Sequence, residues 1–301
     1  MVKIRQILVV AVTLCSFLTD CSGRVVGAVD TVRSGQAQID TFLVHFWDGV
    51  DLSDSTLYAV SAVAEDEGFC AMEEKAAAFF SVLPSGSDSV VFRAVKALMD
   101  KAVATDIDAY GFFMAAAEKY FYSVQSPYYC EKLLLPFLEH KIARTDIPEI
   151  EKSREKFLLG LIRRNSVGRM AEDFSLGDGA GSLYGLLGSL SERQSLMIVF
   201  FSADCKDCLD GIARLKYSPA VSKKISEDEL SVLAVCIEGR LKDVLSEIPS
   251  GWFKASDNGS IIRNSVYSIR HQPSVYILDR GGVVLLKDAD VSSAIQFLLG
   301  Y

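Results

Sequence analysis

Apolar residues recur at helical spacing from Asp30 to about Asn165, and beyond that point short apolar runs alternate with amphipathic segments. In the first part Ile39, Phe42, Leu43, Phe46 and Trp47 form one helical stripe. Residues 57–64 predict a second helix, and Phe69, Met72, Ala76, Phe79, Phe80 and Leu83 a third that Pro84 ends. Val91, Val95, Leu98, Met99 and Ala102 mark the next. Asp106 or Asp108 caps a helix carrying Tyr110, Phe113, Ala117, Tyr120 and Phe121, which Ser126-Pro127 breaks. Leu133, Leu134, Phe137 and Leu138 continue the pattern, and Pro148 starts a last helix expected to bury Phe157, Leu158, Leu161 and Ile162. Aromatic side chains at this spacing read as core rather than as a ligand pocket.

In the second part residues 196–201 are an almost unbroken apolar run, short enough for a strand buried on both faces. Ser202, Ala203 and Asp204 make a turn, and Cys205 and Cys208 open a helix with Leu209, Ile212 and Leu215 on its apolar face. Residues 231–237 read as a strand, 243–248 as a helix and 262–269 as a further apolar segment. Pro273 precedes a strand over 274–278, Asp279-Arg280-Gly281-Gly282 is a hairpin turn, and 283–286 is its partner. A helix over 291–299 closes the chain. The fold class is therefore α+β with two domains, an all-α one followed by an α/β sandwich on one mixed sheet.

The Cys-x-x-Cys pair is the main candidate for chemistry. A thiolate at the first turn of a helix faces unpaired N–H groups and the positive end of the dipole, which lowers the Cys205 pKa below that of an ordinary thiol. Cys208, one turn on, is in reach to resolve a mixed disulfide. The bland readings are two buried apolar cysteines or half of a metal site, the latter with His271 as a further ligand. Haem attachment is excluded, because Leu209 stands where that motif needs His.

Composition narrows the partners more than the chemistry. The 301 residues carry 31 basic and 39 acidic side chains and no basic block, which argues against nucleic acid as a partner. Lys3 and Arg5 followed by an apolar stretch over 7–18 read as an export signal, too short to span a bilayer. Leu18-Thr19-Asp20-Cys21 resembles a bacterial lipobox, which would make Cys21 a lipid anchor, although Asp20 stands where a small residue belongs. Cleavage after Gly23 is the other reading, and both stay open. Export places the protein in the periplasm or cell envelope, where disulfides persist. Of the seven cysteines, Cys236 sits in a strand-like run as an inert thiol, and a bridge between Cys70 and Cys130 is left open.

The second part resembles the thioredoxin-like superfamily, in particular its exported bacterial branch. Gly168-Arg169-Met170-Ala171-Glu172-Asp173-Phe174 is similar to the lead-in of that branch, and Phe200-Phe201-Ser202-Ala203-Asp204-Cys205-Lys206-Asp207-Cys208 to its active-site segment. His271-Gln272-Pro273-Ser274-Val275-Tyr276-Ile277-Leu278-Asp279 is similar to the segment whose proline is cis and packs against the cysteines. The first part is similar to a helical domain of unknown function fused to such modules in envelope proteins. The resemblance implies that Cys205 attacks, Cys208 resolves and Pro273 shapes the substrate groove. Two positions depart from it: Asp204 stands in place of the usual Trp, and Val199 in place of a buried acid that assists proton transfer in thioredoxin.

These readings give a signal segment over 1–23, a helical domain over 24–165 and a thioredoxin-like domain over 166–301. The expected activity is that of an envelope thiol-disulfide oxidoreductase acting on protein thiols or disulfides without a cofactor. The alternative is an envelope binding or scaffold protein in which the cysteine pair is structural or vestigial. Exposure of Cys205 beside Pro273 separates the two.

Overall fold

The computed structural model describes residues 29–59, 70–177, 183–186, 194–257 and 259–300. The expected signal segment and Cys21 lie outside the described residues. The chain divides into two compact units, Met1–Lys156 and Phe157–Tyr301.

The described residues of the first unit contain helices and turns but no strand. Its helices are α1 (Val29–His45), α2 (Ala71–Val82), α3 (Asp88–Thr105), α4 (Ile107–Phe121) and α5 (Glu131–Ala143); α6 (Ser153–Arg163) runs across the division. The aromatic stripe proves to be core. Trp47 meets Phe79 and Phe113 edge-on at 5.5 and 5.2 Å between ring centroids, and Phe80 packs on Phe121 at 4.9 Å. Asp106, rather than Asp108, caps α4 by accepting a hydrogen bond from the Ala109 amide at 2.7 Å.

Four expectations for the helical part of the chain are corrected. Phe46 and Trp47 lie in a turn beyond α1, which ends at His45. Of the helix expected over 57–64 only a 3-10 turn, Ser55–Tyr58, is described, and 60–69 fall outside the described residues. Pro148 precedes a 3-10 turn, Glu149–Lys152, and the α-helix begins later, at Ser153. Phe157 is exposed, because Leu158 and Ile162, four residues apart, share the buried face of α6 and turn their neighbour away from it.

The second unit is built on a seven-stranded sheet of order β2-β1-β5-β4-β3-β6-β7. The strands are β1 (Ser175–Gly177), β2 (Leu183–Gly185), β3 (Ser195–Ser202), β4 (Leu230–Glu238), β5 (Phe253–Ser256), β6 (Ser274–Leu278) and β7 (Val284–Ala289). β3 runs parallel to β4 and antiparallel to β6, so the sheet is mixed as expected. Alternation along β3 explains its unbroken apolar run. Met197, Val199 and Phe201 enter one core with Ile212, Leu215 and Val291, while Leu196, Ile198 and Phe200 enter the other with Phe174, Tyr267 and Tyr276. Helices α7 (Lys206–Lys216), α8 (Pro219–Ser226) and α10 (Val291–Gly300) contribute to the first core. The short helix α9 (Ser260–Asn264) adds Ile261 to the second.

Here one expected element is absent. Residues 243–248 form turns after a short 3-10 segment, Leu241–Asp243, rather than an α-helix. Six residues ending against Pro249 are too few to recover the cost of helix nucleation, so Leu241, Val244 and Ile248 are buried from an irregular chain.

Candidate active site

β3 delivers the chain to the site from the middle of the sheet. Its register with β4 shifts between Phe201 and Ser202, and the Ala203 amide donates to the Glu238 carbonyl at 2.9 Å, which fixes the turn that follows. Cys205 is the N-cap of α7, with extended backbone angles of φ -97 and ψ 108, and its sulfur accepts from the Cys208 amide at 3.1 Å. Cys205 and Cys208 form a disulfide with Cα atoms 5.2 Å apart. The two sulfurs differ in access: Cys205 is partly exposed, whereas Cys208 is 0% exposed.

The Gln272–Pro273 bond is cis, as the resemblance implied, and Pro273 is buried. Its ring sits against Gly211 of α7, where an added Cβ would come within 2.6 Å of Pro273 Cγ. The loop that carries the proline is fastened to β7 by Asp288, which accepts from Arg270 Nε at 2.6 Å and from Ser274 Oγ at 2.7 Å. Both the Arg270 side chain, at 12% exposure, and Asp288 are withdrawn from water, so the ion pair and its hydrogen bonds must offset the loss of hydration. A groove of about 420 Å³ runs along this edge between Asp207, Asp210 and Gly211 of α7 and Gln272, Pro273 and Asp290. Burial pushes the Asp290 carboxyl up, but hydrogen bonds from Ser293 and the Ser292 amide outweigh this and hold it below its ordinary range. A second cavity, of about 310 Å³, includes Ser195 at the opposite end of β3 and none of the expected site residues.

Pro273 thus packs against the helix that Cys205 and Cys208 open. The same geometry shows where His271, the further ligand of the metal reading, is directed. The two cysteines are bonded to each other, and His271 directs Nδ1 at the Pro273 carbonyl and Nε2 at the Asp288 carbonyl, both at 3.1 Å. Among the described residues no group of three His, Cys, Asp or Glu side chains is arranged to hold a metal ion. Cys70 and Cys236 are buried thiols. Burial pushes the Cys236 thiol above its ordinary value, in keeping with an inert role. Val199 lies in the same buried cluster as Cys208, so the strand offers no carboxylate there.

Residues that sequence reasoning did not single out are Gly211, Gln272, Glu238 and Asp288. The only local signal among them is that Gln272 directly precedes Pro273.

A crystal structure of a thioredoxin-like protein from Bacteroides caccae ATCC 43185 matches 94% of this chain and 100% of its own, with a TM-score of 0.76 and 24% identity. The fold is thioredoxin-like. Residues 32–165, before the thioredoxin-like sheet begins, match the family described as a domain of unknown function (DUF5106). The C-terminal domain of an uncharacterized protein from Bacteroides fragilis NCTC 9343 is 26% identical over 45% of this chain and 98% of its own, with a TM-score of 0.42. A domain of a possible thiol-disulfide isomerase from Cytophaga hutchinsonii ATCC 33406 is 22% identical over 46% of this chain and 95% of its own, at a TM-score of 0.38. No curated protein matches the chain.

Proposed function

We propose that this protein is an exported thiol-disulfide oxidoreductase that exchanges disulfides with protein substrates through Cys205 and Cys208. The observation that carries the reading is the unequal access of the two sulfurs in one disulfide, with the reachable one capping the helix whose Asp207, Asp210 and Gly211 line the Pro273 groove. In the reducing direction the Cys205 thiolate attacks a substrate disulfide, forming a mixed disulfide and expelling one substrate thiolate. The Cys208 thiol gives up its proton and attacks Cys205, the mixed bond breaks, and the second substrate sulfur leaves. The substrate gains two electrons, the protein pair is oxidised, and a thiol reductant restores it. No cofactor is needed for any of these steps. Pro273 shapes the groove that holds the substrate chain beside Cys205.

Residues 1–23 serve as the export signal in this reading, with Cys21 either acylated or removed. The end of the DUF5106 match at residue 165 supports a functional boundary there, between a helical domain over 24–165 and the exchange domain over 166–301.

Trapping tests the proposal. A Cys208→Ser variant expressed in whole cells should accumulate reductant-sensitive adducts on Cys205, and the Cys205→Ser, Cys208→Ser double variant should carry none. Equal recovery from both variants, with no exchange of the wild-type disulfide in glutathione buffers, would leave the envelope scaffold reading in its place.

A further inference from the structure

We infer that Glu238 and Gln272 act together as the polar partner of Cys208, presenting an acceptor to its S–H when the pair is reduced; this rests on the exchange reading above. Cys208 is sealed from water, and its sulfur lies 3.9 Å from Gln272 Oε1. Gln272 Nε2 in turn donates to Glu238 Oε2 at 3.3 Å. The ends of a primary amide are not interchangeable: the oxygen only accepts and the nitrogen only donates. A carboxylate can only accept. Glu238 therefore holds the amide with its nitrogen outward and its oxygen toward the sulfur. The Glu238 main chain, from which that carboxylate extends, is held in place: its carbonyl accepts from the Ala203 amide and from Cys236 Sγ at 2.9 and 3.1 Å.

This orientation matters only in one redox state. A disulfide sulfur carries no proton, so Gln272 Oε1 receives no hydrogen bond from it. Reduction breaks the S–S bond with two electrons and leaves a proton on Cys208, which the amide oxygen then accepts. A thiolate at the same place would face the negative end of the amide in a water-free pocket, so hydrogen bonding and burial both favour the neutral thiol. Turning the amide over would offer N–H to a thiolate, but it would break the bond to Glu238 and set oxygen against oxygen. The other charged groups around the pair are Asp204, Lys206, Asp207 and Asp210 on the helix side and Arg214 and Asp290 along the groove. Arg270 and Asp288 compensate each other, and His271 faces carbonyl oxygens. The Gln272 side chain thus donates to Glu238 and turns its oxygen toward the Cys208 sulfur.

Equilibration of the full-length protein in glutathione buffers, from about pH 6 to about pH 10, tests the couple, with differential alkylation and peptide masses reporting Cys205 and Cys208 separately. Each equilibrium converts the protein disulfide and two glutathione thiols into the protein dithiol and glutathione disulfide. Gln272→Leu removes the acceptor and should lower the equilibrium constant for reduction about fivefold, equivalent to about 20 mV. Glu238→Gln, at an exposed position where folding is not at stake, frees the amide to turn and should move the Cys208 break in the pH profile down by about one unit. Water entering a loosened pocket would lower the break as well, but it would also open Cys208 to alkylation in the folded protein at low pH, which a turned amide would not. Wild-type constants and wild-type breaks in both variants would overturn the inference while leaving exchange intact. A wild-type pair that never equilibrates with glutathione would instead sink the exchange reading, and the inference with it.

Discussion

Gly211 shows how narrowly the site is fitted. A methyl group there would stand 2.6 Å from Pro273 Cγ and 3.2 Å from Val291 Cγ2, so Gly211→Ala must push the proline loop or α10 away. The expected cost is about 1–3 kcal/mol, read as a lower urea midpoint, together with slower exchange at Cys205. The charges beside Cys205 lead to a second expectation. Asp204 and Asp207 outweigh Lys206, and all three are exposed, so the thiolate gains less than the helix terminus alone would give it. A less stabilised thiolate makes the dithiol a better donor, and the midpoint in glutathione buffers should fall roughly between -280 and -200 mV. A midpoint near -120 mV would show an oxidant instead. At this scale Cys205, Cys208 and Pro273 were legible because each announces itself locally, through spacing or through a ring that fixes the backbone. Gly211, Gln272, Glu238 and Asp288 were not, because each acquires its role from a partner at least 14 residues away, as Asp288 does from Ser274.

Elements differ in how openly the sequence declares them. β3 was legible because burial on both faces leaves only apolar residues, and α4 because Asp106 precedes a long apolar stripe. β1, β2 and β5, of three, three and four residues, are too short to show a period, and their pairing is supplied by the sheet. α8 was missed although Pro219 opens it, since only Ala220 and Val221 are buried along its eight residues. Two substitutions probe elements directly. Asp106→Ala removes the cap of α4 and should destabilise the helical unit by about 0.5–2 kcal/mol in thermal or urea unfolding. Asp288→Ala leaves Arg270 without its buried carboxylate and removes the tie between β7 and the proline loop. Its cost should be larger, about 3–5 kcal/mol, and a change below 1 kcal/mol would mean that the clamp holds nothing.

Across the whole molecule, buried hydroxyl and thiol groups set the response to alkali. Burial pushes Tyr110 up to about 12 and raises Tyr267 and Cys236 above their ordinary values of 10.0 and 9.0. For groups raised in the fold, the unfolded chain releases its proton first. Stability is thus fully present below about pH 9 and is lost as the pH climbs from there toward the folded values. Urea unfolding across that range should show the decline, and Tyr267→Phe should flatten it for the thioredoxin-like unit. The sheet order carries a last consequence, for time rather than energy. β3 is bonded on both sides, to β4 and to β6, whereas among the described residues β1 meets β5 through one pair, Gly177–Ser256. Deuterium should therefore reach the amides of 196–200 only when the whole unit opens, and those of β1 far sooner. A cysteine pair hung from the slowest-exchanging strand keeps its place through turnover while the rim of the sheet breathes.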